Sequence, residues 1–230
     1  MGPDALKRAG RAFRYWEARQ EAVAHNLANA STPGFKGERV FAKLLEGVGV
    51  EPRGQTDLRG GALVDTGRSL DLALDGDGFM VVKTEAGERL VRGGSFQMDV
   101  SRTLVDANGN QLLGDSGPIM LPEGEFEITT RGEVRVDGST VATLRIERLK
   151  DDARLWREGA TQFRLEGKTV QVEEGEVKVR QGHLEESNVD PVGSLVDMIE
   201  IQRAYSALQR SVLVVDGVMD RISNDIGRVK

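Results

Sequence analysis

Near both ends of this chain apolar residues recur at alternating steps of three and four, the spacing that keeps one stripe on one side of a helix. The N-terminal stripe runs Leu6, Ala9, Phe13, Trp16, Gln20, Val23, Leu27 and Ala30, interrupted only by Gln20. The C-terminal stripe runs Met198, Ile201, Tyr205, Leu208, Val212, Val215, Met219, Ile222 and Ile226. Asp190 before Pro191 supplies an N-cap and a proline at the first helical position, so the second helix is predicted to start there. At about 1.5 Å per residue the two helices run on the order of 40 and 55 Å, longer than a compact domain needs. Leu195, Ile199, Leu213, Val214 and Val218 fall beside the main C-terminal stripe. One partner helix does not cover so wide a face, which predicts contacts with other copies rather than a simple helical hairpin.

Between the helices the sequence reads as β structure. Leu70–Leu74 alternates, Asp75–Gly78 supplies turn chemistry, and Phe79–Lys83 reads as the returning strand of a hairpin. Short strand patterns recur at Arg89–Arg92, Ser95–Val100, Leu104–Val105, Glu125–Thr129, Glu133–Val136, Val141–Leu149, Gln162–Leu165, Thr169–Glu173 and Glu176–Gln181, several of them beside Gly turns. The expected fold class is mainly β with long terminal α-helices. It comprises an antiparallel barrel or sandwich-like middle domain plus paired, coiled-coil-like N- and C-terminal helices. The expected organisation is an N-terminal helix over 1–31, an extended linker over 32–61, a β-rich domain over 62–186 and a C-terminal helix over 187–230. Within the linker, Thr32-Pro33-Gly34-Phe35 fits a type II turn, with proline at its second position and glycine taking positive φ at its third.

Composition narrows the function classes. Hydrophobic residues make up 39% and aromatics 5% of 230 residues, low for one compact globule, so the core is confined to part of the chain. The net charge of −6 and the lack of a clustered basic face argue against a nucleic-acid partner. With no cysteine there is no disulfide frame and no thiol to mispair in an oxidising compartment. No apolar run approaches the ~20 residues of a membrane span. The first twelve residues lack the apolar core of a cleavable secretory signal.

Catalytic and metal readings fail on residue type. Gly114-Asp115-Ser116-Gly117-Pro118 is similar to the nucleophile segment of chymotrypsin-like proteases but one glycine short. The only histidines, His25 and His183, sit in the N-terminal helix and just before the C-terminal one, neither in a context suited to a base. That segment reads as a polar turn. Asp106, Asn108 and Asn110 alternate like calcium ligands, but Gln111 replaces the required glycine and Gly117 the bidentate glutamate. Two histidines and no cysteine leave no zinc constellation. No catalytic residue, cofactor, metal or small-molecule substrate is expected. A β-domain binding or adhesive module on a coiled-coil stalk is the alternative of another class. It would need an exposed aromatic platform, and the middle offers only Phe79, Phe96, Phe126, Trp156 and Phe163. Most of these suit a core, with Trp156 assigned to packing at the domain edge.

Several segments together resemble the flagellar hook–basal-body rod family. They are Asn26 to Phe41, with its Asn26-Leu27-Ala28-Asn29 core followed by Pro33, Gly34 and Phe35, the Leu74–Val82 stretch, and Leu90–Phe96 with Gly109–Gly114. They also include Gly182, Leu184, Glu185, Ser187-Asn188-Val189, Val196–Ile199 and Gln202-Arg203-Ala204-Tyr205. The likeness spans nearly the whole chain. It departs at His25, where the family usually carries Asn. The resemblance implies a structural subunit of the bacterial flagellar axle, its terminal helices forming an inner tube with the β domain outside. It implies export through the flagellar type III apparatus without a cleaved signal and location in the basal-body rod that crosses the periplasm. Its partners would be other copies, other rod proteins and the export apparatus. The length suits a proximal or distal rod subunit, and the linker and the C-terminal end look more like the proximal one. Assembly is expected to use Leu6, Phe13, Trp16, Val23 and Leu27 of the first stripe and all of the second, together with Asn29, Pro33, Gly34, Phe35, Ser187, Asn188, Val189, Gln202 and Arg203.

Overall fold

The structure, a computed structural model, describes residues 3–45, 49–150, 153–172 and 175–227. It is mainly β with one helix at each end, α1 (Pro3–Ala28) and α2 (Pro191–Gly227). Contacts divide the chain into two units. Unit 1 takes Met1–Ala30, Gly37–Asp57 and Val189–Lys230, and unit 2 takes Ser31–Lys36 and Leu58–Asn188.

In unit 1 the start of α2 follows from its capping residues. Asp190 Oδ1 accepts the Val192 N–H at 3.0 Å, and the Asp190 carbonyl accepts the Ser194 N–H at 3.0 Å. Pro191 occupies the first helical position, where a missing N–H costs nothing. The two helices touch through Phe13 and Tyr205, whose rings meet edge to face at 5.2 Å. The Tyr205 hydroxyl donates to Glu17 Oε1 at 3.3 Å, and Arg19 lies 3.9 Å from Asp197.

Strands β1 (Glu38–Leu45) and β2 (Gly49–Thr56) complete unit 1 as an antiparallel hairpin in register from Glu38↔Thr56 to Leu45↔Gly49. The sequence suggests only an extended connection here. No apolar alternation marks this ribbon, since Arg39, Phe41, Ala42 and Lys43 are all exposed; backbone pairing holds it. Pro52 sits opposite Ala42 in a two-stranded ribbon, where a missing ladder donor is tolerated.

In unit 2 the first strands are β3 (Leu63–Asp65), β4 (Asp71–Asp75), β5 (Phe79–Thr84), β6 (Gly87–Val91) and β7 (Gly93–Ser95). The largest sheet runs Arg154–Glu158, Gln162–Glu166, β6, β5, Gln111–Gly114, Leu104–Val105 and Gln97–Met98. A second sheet holds Phe126–Ile128, Glu133–Val136 and Ser139–Thr143; a third places β4 between β7 and Lys178–Gln181. These described strands do not close into a barrel. The main sheet ends in Arg154–Glu158 on one side and the two-residue strand Gln97–Met98 on the other, and neither pairs onward.

A second correction concerns the expected Leu70–Lys83 hairpin. Both strands form, but β4 pairs with β7 and Lys178–Gln181, whereas β5 pairs with β6, Gln111–Gly114 and Ile146–Leu149. The Asp75–Gly78 turn carries the chain from one sheet to another. Burial gives the reason, because Leu72, Ala73 and Leu74 and all of Phe79–Val82 are enclosed. Such runs are central strands covered on both faces. The period of two in β5 then splits the core, with Met80 and Val82 joining Leu72, Phe96 and Leu112 on one side. Phe79 and Val81 join Leu90, Leu113 and Phe163 on the other.

Candidate functional site

Catalytic constellations are absent where the sequence most nearly offered one. Asp115-Ser116 forms the tip between Gln111–Gly114 and Gly117–Pro118, with Gly114 paired to Gly117, so the protease-like segment is a tight turn. Asp106 Oδ1 accepts the backbone N–H groups of Asn108 and Asn110, both at 2.9 Å, a side-chain-closed loop with its carboxylate already engaged. Trp156 is half exposed on the edge strand Arg154–Glu158, its indole N–H donating to Glu166 Oε2 at 2.8 Å. An isolated indole at a sheet edge is not an aromatic platform.

Helix α2 carries the most distinctive surface. Of its stripe, Ile201 is fully buried, and Met198, Tyr205, Leu208 and Val212 are half-buried. Val215 is 39% exposed, and beside the stripe Leu195, Ile199, Leu213, Val214 and Val218 are exposed, Leu213 at 69%. On α1, Val23 is buried while Phe13, Trp16 and Leu27 are half-buried. Gln202 and Arg203 are exposed. The side chains of Leu6, Met219, Ile222 and Ile226 lie outside the described residues. Tyr205 titrates above the ordinary tyrosine value, first because packing desolvates its phenolate and then because Glu17 faces it.

The N-terminal motif divides its work. Asn26 donates from Nδ2 to the Glu38 carbonyl and accepts the Glu38 N–H at Oδ1, both at 2.8 Å, which fastens the start of the hairpin to α1. Asn29 returns to the His25 carbonyl through its own N–H at 3.2 Å and its side chain at 3.0 Å, closing the helix end. The turn at Pro33 has the expected geometry, with Gly34 at φ 73° and the Phe35 N–H on the Thr32 carbonyl.

Phe35 and Lys36, by contrast, are fully buried. The Arg157 guanidinium stacks 4.5 Å from the Phe35 ring and donates to the Lys36 carbonyl. Lys36 Nζ meets Glu185 Oε1 and donates to the Arg59 carbonyl at 2.7 Å. Arg92 Nε donates to Glu185 Oε2 at 3.1 Å, and the Gly61 N–H to Glu185 Oε1 at 2.8 Å. Asn188 joins through its N–H on the Phe35 carbonyl and its side chain on the Arg59 carbonyl, while Ser187 and Val189 beside it are half-buried. Sequence reasoning missed Asn26, Lys36, Arg92 and Arg157 as site residues. A lysine directly after a Pro-Gly-Phe turn carries no signal of burial, because its partners lie far along the chain.

Three family models match this chain. Residues 17–36 match the flagella basal body rod protein family, 73–136 the flagellar hook protein FlgE/F/G D1 domain, and 180–225 the flagellar basal body rod FlgEFG protein C-terminal family. Among its relatives, the flagellar basal-body rod protein FlgF of Escherichia coli is 33% identical, covering 86% of this chain and 88% of the relative. FlgF of Caulobacter vibrioides is 31% identical, covering 83% of this chain and 84% of the relative. The flagellar basal-body rod protein FlgG of Bacillus subtilis is 26% identical, covering 92% of this chain and 95% of the relative. With relatives at 31% and 33% identity over most of both chains and family models matched at both ends, this chain belongs to the flagellar basal-body rod protein family, whose members are structural components of the flagellar basal body and not enzymes.

Proposed function

We propose that this chain is a proximal-rod subunit that builds the flagellar axle by packing α1 and α2 against helices of neighbouring copies and of other rod proteins. The observation that carries this reading is the apolar flank of α2. Leu195, Ile199, Leu213, Val214 and Val218 remain exposed after α1 has taken its share of the helix. Exposed apolar groups of this kind, at Leu195 and Ile199 and again at Leu213, Val214 and Val218, mark an interaction surface. Packed in a tube, the stripes would adopt coiled-coil-like geometry. Residues 1–31 and 187–230 then act as the assembly segments, with the sheets of 62–186 as the folded β domain. Passage through the flagellar type III apparatus without a cleaved signal, into a rod crossing the periplasm, belongs to the same proposal.

The proximal position rests on the closer likeness to FlgF relatives, at 31% and 33%, than to the FlgG relative at 26%. A cryo-electron microscopy map of basal bodies isolated from cells carrying this chain tests both parts. Density for the chain in the proximal rod, with α2 flanked by helices of its neighbours, is expected. Density only in the distal rod would move it to the alternative position, and its absence from the axle would overturn the proposal.

A further inference from the structure

The chain passes between its two units four times, at 30/31, 36/37, 57/58 and 188/189. Within unit 2 the Gly34–Lys36 segment and the Gly61 loop, which lie beside these crossings, meet at Glu185, which is 2% exposed. Its Oε1 takes Lys36 Nζ and the Gly61 N–H, its Oε2 takes Arg92 Nε, and its carbonyl accepts the Gly34 N–H at 2.6 Å. A Cβ on Gly61 would lie 1.9 Å from the Glu186 carbonyl oxygen, so glycine lets this loop reach the carboxylate.

We propose that unit 2 is a receptor for the Gly34–Lys36 segment and that Glu185 closes it, the segment docking as a strap onto a β core that is already folded. The site has the chemistry of a peptide-binding site. A backbone carbonyl receives the Gly34 amide, a guanidinium covers the Phe35 ring, and a buried carboxylate receives the Lys36 ammonium. The strap is short, its one turn is local, and the apolar clusters that hold the sheets contain none of its residues. Its attachment combines the enclosed Phe35 ring under Arg157 with polar partners, among them the charged Glu185. A buried carboxylate between two cations tolerates loss of its charge poorly, because both cations stay behind without it. This inference concerns the chain by itself and does not depend on its place in the axle.

Amide hydrogen exchange on the full-length protein tests the strap, with Glu185→Gln and Lys36→Met compared to the unaltered chain. Glu185→Gln removes the charge and keeps one acceptor, able to serve the Gly61 N–H, while an NH2 donor replaces the oxygen that receives Arg92. Each variant is expected to speed exchange of the Gly34 and Asn188 amides by on the order of a hundredfold, the loss of a buried charge pair read through local opening. The Val82 and Leu112 amides, in the core, keep their protection. No acceleration at Gly34 in either variant would remove Glu185 as the closing group. Equal acceleration of strap and core, or failure of either variant to fold, would show the strap to be part of the cooperative β fold and would overturn the proposal.

Discussion

In unit 2 four consecutive residues, Phe79 to Val82, are buried and Phe163 is completely enclosed. In unit 1, Leu213 and Val214 stand 69% and 66% exposed on α2. The contrast is one of available cover. A strand such as β5 meets β6, Gln111–Gly114 and Ile146–Leu149, whereas α2 packs on α1 and keeps an exposed apolar flank. Unit 2 encloses its apolar strands, whereas unit 1 leaves apolar side chains of α2 exposed, the surface that the proposed assembly would enclose.

The comparison breaks most directly through paired truncations. Phe163→Ala removes a fully buried ring and is expected to cost about 3–5 kcal/mol in denaturant unfolding of the purified chain. Leu213→Ala is expected to stay within about 0.5 kcal/mol, as exposed positions do. Similar losses at the two sites would mean that the free chain already covers α2.

A backbone change sharpens the boundary between the units. At Gly34 an added Cβ meets nothing nearer than the Gly93 carbonyl at 3.8 Å, so space is adequate, but φ is 73°. Gly34→Val is therefore expected to cost about 1–3 kcal/mol as backbone strain and to impair motility, with the sheets still folded. Calorimetry and a swarming assay measure both, and unaltered motility would count against it. A smaller loss, about 1 kcal/mol, is expected for Asp190→Ala, which removes the acceptor of the Val192 N–H. Faster amide exchange confined to the first turn of α2 is its signature.

The smallest effect is a titration. Packing against α1 desolvates the Tyr205 phenolate, and Glu17 adds to the upward shift. Because the folded value is raised, the contact contributes fully below the unfolded tyrosine pKa of about 10 and is lost as pH rises through the folded value. Ultraviolet titration of a Tyr15→Phe chain, which leaves Tyr205 as its one tyrosine, should give a midpoint above 10 that falls in Glu17→Gln. A midpoint indifferent to Glu17 would place the helices apart in solution.

How much of this was legible in sequence depends on the range of the interactions. The start of α2 and the turn at Gly34 were readable because Asp190, Pro191, Pro33 and Gly34 act on neighbours within a few residues. Most short strands were readable from their patterns, yet the partners of β4 and β5 were not. The Asp75–Gly78 turn has hairpin chemistry, while the pairing is set by burial on both faces. The β1–β2 ribbon escaped because its exposed side chains follow no period. The Glu185 cluster escaped because Lys36 and Arg92 approach it across 149 and 93 residues of sequence.

The central claim is that the apolar surface left exposed on α2 is buried between subunits, and Val215→Asp tests it at the end of the stripe, at a position 39% exposed in the single chain. A carboxylate there is hydrated in the free protein but costs several kcal/mol, or forces protonation, in a packed helical interface. A repeating assembly meets that penalty at every copy. Secretion, thermal melting of the purified full-length chain and recovery of rods are measured together in cells carrying the variant. The account predicts normal secretion, an unchanged melting temperature and no rods. Intact rods containing Val215→Asp would contradict it and return that face of α2 to solvent.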